Sequence, residues 1–127
     1  MQLYLNNQEF PIATVNDLHQ HLGRVSQQQF SEIWLITDND GPSLTILVNG
    51  THAWLMYLYN QEDSSGTISR NPSYSGSTEA TMQFFLSNGQ KEEYPLAWTI
   101  SLENAFKACE YFLLNQGGRS STVIWHE

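Results

Sequence analysis

The spacing of apolar positions changes along the chain, and each change predicts an element. Leu3 and Leu5 flank Tyr4 in a short alternating segment that Asn6 and Asn7 end, a first strand. Val15, Leu18 and Leu22 then fall at i, i+3 and i+7 on one helical face. Thr14 stands at the N-cap, and Asp17 takes the place of the longer Glu of a capping box. Residues 14–22 are therefore predicted helical, with Gly23 as the stop. From Glu32 to Thr37 a compact apolar run predicts a strand, and Asp38-Asn39-Asp40-Gly41-Pro42 is a turn. Ser43–Asn49 alternates, Asn49-Gly50 is a strong hairpin signal, and His52–Tyr59 is apolar on both faces. A strand of that last kind belongs in the middle of a sheet with something packed on each side.

Residues 60–78 hold six Ser and two Gly with Ile68 and Tyr74 as the large apolar side chains. This composition predicts a mobile loop, with at most a weak strand at Thr67–Arg70. Alternation returns over Glu79–Leu86, Asn88-Gly89 marks another hairpin, and Lys91–Tyr94 reads as a polar edge strand that Pro95 ends. Ser101 is then an N-cap. Leu102, Ala105, Phe106, Cys109, Phe112 and Leu113 form one continuous apolar stripe, and Gly117-Gly118 closes the helix. A last strand is expected over Ser121–His126, with Val123 and Trp125 on one face. Phe106, Phe112, Leu113 and Trp125 are the expected core residues of this segment. Strand, helix, hairpin-linked strands, helix and strand in that order predict a single α+β domain over residues 1–127. Its antiparallel sheet should have about five to seven strands, with two helices packed on it.

Composition narrows the function classes. The chain has 127 residues, 13 of them acidic and 5 basic, for a net charge of −8. Such a surface repels phosphate, so direct nucleic-acid binding is not expected, while a basic protein partner would be steered toward it. A single cysteine excludes an internal disulfide framework. No signal-peptide pattern and no apolar run of roughly 18–20 residues is present, so a cytoplasmic protein without membrane contact is expected.

Reactive constellations are sparse. His19 and His21, two residues apart on a helix, project about 200° from each other and cannot chelate one ion together. Cys109 lies on the apolar stripe, where a thiol is buried and inert. There is no G-x-S-x-G elbow and no phosphate-binding glycine loop. No catalytic residue, metal site or cofactor is expected. The acidic pairs Asp38/Asp40, Glu62/Asp63 and Glu92/Glu93 all fall on turns, loops or an edge strand, where solvation is the ordinary role of a carboxylate.

The C-terminal segment carries a further signal. Tyr94-Pro95-Leu96 precedes the helix, and Ala105, Ala108, Phe112, Gly117, Val123 and Trp125 follow in order. This pattern resembles the family numbered one among the immunity proteins of polymorphic toxin systems. The specific part of the match covers residues 94–127, and Arg119-Ser120 stands where many members have a proline. The resemblance implies a small α+β protein that is not an enzyme and neutralises a cognate toxin domain, a nuclease or nucleic-acid deaminase, by blocking its basic cleft. The charge fits such a partner. Contact residues would then be the exposed carboxylates Asp38, Asp40, Glu62, Asp63, Glu92 and Glu93, with Tyr59 and Tyr74 as aromatic anchors beside the long loop. Two other readings stand beside it: a small enzyme or ligand-binding domain with a cleft, and an assembly subunit that forms a homodimer through an edge strand.

Overall fold

A computed structural model of the protein describes residues 1–38, 40–63 and 66–126. The chain opens with a hairpin, β1 (Gln2–Leu5) and β2 (Gln8–Pro11), closed by Asn6 and Asn7 at φ of 48° and 70°. Two consecutive positive φ angles are the geometry of a tight hairpin turn, and asparagine tolerates them better than most residues. The second strand escapes a sequence reading because Gln8 and Glu9 are exposed and Phe10 half-buried, leaving no apolar alternation to detect. Helix α1 (Val15–Leu22) follows, with the Thr14–Asp17 capping box formed. Gly23 ends it in a right-handed conformation, and a short 3-10 turn at Val25–Gln27 leads on to the sheet.

Strands β3 (Phe30–Ile36), β4 (Ser43–Asn49) and β5 (His52–Leu58) form an antiparallel meander, and β1 pairs with β3. Residues 67–70, expected as at most a weak strand within a mobile loop, are an interior strand, β6, lying between β5 and the terminal strand β10 (Ile124–His126). Tertiary partners override the polar sequence there. The Ser69 hydroxyl donates to the Trp98 carbonyl and accepts from the Leu55 amide, so a buried serine is fully used. The short strand β9 (Ile100–Ser101) also pairs with β5, ahead of helix α2 (Leu102–Leu114). The order across the sheet is β10-β6-β5-β4-β3-β1-β2. The last strand is shorter than its apolar pattern, since Ser121–Val123 are turn and bend.

Both helices cover one sheet face. Leu18 and Leu22 of α1 and Ala105, Ala108, Cys109 and Phe112 of α2 pack on Leu3, Ile33, Leu35, Ile46 and Leu55. Phe112 is completely buried, while Phe106, Leu113 and Trp125 are half-buried against the same core. Burial also pushes the Cys109 thiol far above its ordinary value. After α2 the chain turns at Gly117, whose φ of 96° and closeness to Thr37 and Pro42 leave no room for a side chain. The Tyr57 hydroxyl donates to its carbonyl at 2.6 Å, tying the helix end to the sheet.

A two-stranded ribbon, β7 (Thr81–Phe85) with β8 (Lys91–Pro95), lies across part of the opposite face. Phe84 is fully buried there with Leu47 and Trp54, and Tyr94 stacks on Trp54 with ring centroids 4.3 Å apart. The α+β architecture with two helices is as expected, and β8 is an edge strand, of a separate two-stranded sheet in which it pairs with β7. Among the described residues no helix is long and apolar enough to cross a membrane.

Candidate functional site: an acidic end and a pocket on the open sheet face

Strand register decides which acidic residues come together. Ser43 at the start of β4 pairs with Ile36 at the end of β3 and with Leu58 at the end of β5. The turn after β3 and the loop after β5 therefore emerge from the same end of the sheet. That brings Asp38, Asp40, Tyr59, Glu62 and Asp63 to one rim. Asp38 is 74% exposed, with the Met1 ammonium 3.9 Å away, and Tyr59 is 49% exposed. Arg119 brings a cation to this rim, with its guanidinium 5.5 Å from the Tyr59 ring centre and within reach of Thr67. Asp63 shapes the loop itself, since its carboxylate accepts from the Tyr59 and Gly66 amides.

The other predicted contacts lie elsewhere. Tyr74 follows β6 at the opposite end of the sheet, where its hydroxyl donates to the Ser77 carbonyl. Because 67–70 is a strand, it separates Tyr59 from Tyr74, so the two do not flank one surface. Glu92 and Glu93 sit on the ribbon, paired with Phe84 and Gln83. Gln83 is held by Asn49, at the far end of β4 from Ser43. Glu93 accepts from Thr81, and Glu92 from Gln90.

The ribbon leaves the sheet face over β1 and β3 open, and the tip of its hairpin forms one wall of a pocket of about 430 Å³. Tyr4, Glu32, Trp34 and Ile36 form the floor, Leu86 and Ser87 belong to the wall, and Asn7 comes from the first hairpin. Alternation puts these β3 side chains opposite the buried Ile33 and Leu35. Tyr4 and Trp34 are direct cross-strand partners.

Glu32 organises the pocket. One carboxylate oxygen accepts from the Ser87 amide at 3.0 Å and the Ser87 hydroxyl at 2.7 Å; the other accepts from the Trp34 indole at 3.0 Å. Burial alone would raise its pKa, but the bonds from Ser87 and Trp34 outweigh it and hold the carboxyl below the ordinary glutamate range. The backbone of Glu32 is itself locked to the Asn6 turn by two hydrogen bonds, of 2.8 and 2.9 Å. These residues lie outside the contacts expected from the sequence. A signal for them is nonetheless present there: Glu32-x-Trp34 sets a charge and an indole on the polar side of an otherwise apolar strand.

The histidines do not cooperate. His19 meets Glu110 of α2, while His21 stacks on Phe10 with centroids 4.2 Å apart. Among the described residues no three His, Cys, Asp or Glu side chains are grouped to hold a metal ion. Compared with models of known protein families the chain matches none, and no curated protein matches it significantly.

Proposed function

We propose that this protein is a toxin-neutralising binder of the immunity type, acting in the cytoplasm and not as an enzyme. The observation that carries the reading is the convergence of Asp38, Asp40, Glu62 and exposed Tyr59 at one end of a chain of net charge −8. Exposed carboxylates around an aromatic side chain suit a basic cleft, the kind that grips a phosphate backbone. The C-terminal resemblance points the same way. The binding footprint is the acidic end, and Glu92 and Glu93 lie outside it.

A ligand-binding reading has one observation in its favour, the pocket at Glu32. A general acid needs a raised pKa, and a strong base needs free lone pairs. Glu32 has a lowered pKa and spends three of roughly four acceptor positions on Trp34 and Ser87. Its chemistry is that of a fixed anion, suited to holding a cation rather than moving a proton.

The test is co-expression with any candidate toxin domain encoded beside this gene, together with binding kinetics at two salt concentrations. Growth should be rescued. Asp38→Lys with Asp40→Lys, and Glu62→Lys alone, should slow association roughly tenfold at low salt and less at high salt. Glu92→Lys with Glu93→Lys should leave both rate constants unchanged. Failure of rescue, or equal effects from all reversals, overturns the reading.

A further inference from the structure

The pocket over β1 and β3 has a composition that selects a particular guest. Its floor combines two cross-strand aromatic rings, Tyr4 and Trp34, with the Glu32 carboxylate between sheet and hairpin tip. Ile36 and Leu86 add apolar lining, and the Asn7 amide group supplies a neutral acceptor. We propose that this pocket is a receptor for an arginine side chain projected by a basic protein partner.

Each part of the pocket matches a part of that side chain. The apolar stem lies along Ile36 and Leu86, and the planar guanidinium stacks on an aromatic ring, which its delocalised charge favours. Glu32 supplies the counter-charge. Its Ser87-bonded oxygen is occupied, but the oxygen that meets the Trp34 indole takes one hydrogen bond there and keeps a second acceptor position. The Asn7 carbonyl can take another guanidinium N–H. Cross-strand from Tyr4, Glu9 adds a second negative charge nearby. The site is pre-arranged, because the Asn6 turn fixes Glu32 and Glu32 fixes the hairpin tip. A protein whose formal charge is −8 attracts a basic partner before any contact forms. At about 430 Å³ the pocket is within the range of small-ligand sites and accommodates one long side chain.

The inference deepens the binder reading and rests on it for the identity of the partner, but the pocket can be tested alone. The probes are Nα-acetyl-arginine amide and its neutral isostere, Nα-acetyl-citrulline amide. They are titrated into isotope-labelled protein while the Trp34 indole and Ser87 amide resonances are followed. Arginine amide should give saturable shifts at both, and citrulline amide should bind at least tenfold more weakly. Glu32→Gln should weaken arginine binding at least tenfold. Glu103→Gln removes the same charge from the exposed side of α2, away from the pocket, so it should retain binding. The proposal is overturned if citrulline binds equally, if Glu103→Gln loses as much as Glu32→Gln, or if shifts fall only on the Asp38 and Glu62 loops. A dimer of the free protein that dissociates in Glu32→Gln would also overturn it, by making a second copy the occupant. None of these failures touches the toxin co-expression result, so the two readings fall separately.

Discussion

Phe112 and Glu32 show how differently two side chains stabilise this fold. Phe112 is completely buried where α2 meets the sheet, with its ring edge-on to Tyr57. Phe112→Ala should destabilise by about 3–5 kcal/mol, read from urea denaturation. A loss below about 1 kcal/mol would mean that the site collapses around the smaller side chain. Glu32 acts through charge-assisted hydrogen bonds at a half-buried position, so its contribution is smaller, about 1 kcal/mol after allowance for solvent. Its folded pKa is below the ordinary glutamate value of 4.5. That stabilisation is therefore complete above this value and is lost as pH falls through the folded pKa. The stability gap between wild type and Glu32→Gln should be present at pH 7 and close as the pH falls below the ordinary glutamate value and through the folded pKa. A gap that stays constant would show that the negative charge is not what the bonds require.

At the scale of elements, the ribbon is the separable part. It pairs with itself, packs on the sheet through the small cluster of Phe84 with Leu47 and Trp54, and is tied to it by polar bonds, chiefly Ser87 to Glu32 and Asn49 to Gln83. An isolated two-stranded ribbon is marginal in water. Phe84→Ala should therefore raise hydrogen exchange over residues 81–95 well before it affects the meander of β3, β4 and β5. Uniform loss of protection across both would mean that ribbon and sheet open as one unit. Helix α2 behaves otherwise. Its N-cap Ser101 accepts from the Asn104 amide, and its C-terminal turn is pinned by Tyr57.

For the whole molecule, charge dominates. The acidic excess keeps copies apart at neutral pH, and its compensation point is near pH 4.7. Solubility should be lowest around that pH and recover on either side, as light scattering would show. The same excess gives the binder reading its direction. Under the proposed function, long-range attraction would bring a basic partner in, the rim of Asp38, Asp40 and Glu62 would orient it, and the pocket at Glu32 would offer an anchor set into the sheet face.

Much of the fold was legible in local pattern. The Thr14–Asp17 box, the stripe from Leu102 to Leu113 and the Asn49-Gly50 hairpin each declare themselves because a local rule, capping, 3.6-residue spacing or turn geometry, is enough to form them. The net charge, too, was fixed by composition. Non-local partners decided the rest. Thr67–Arg70 became a strand because β5 and β10 supply hydrogen bonds on both sides and the Trp98 carbonyl accepts from Ser69. Register joined the turns of Asp38 and Glu62, while strand β6 carried Tyr74, and the ribbon Glu92, away from them. The pocket needed a hairpin tip from residues 86–88 to land beside Glu32, more than fifty residues earlier in the chain. No local periodicity encodes that meeting, because it depends on how the ribbon packs across the sheet through Phe84, Trp54 and Tyr94.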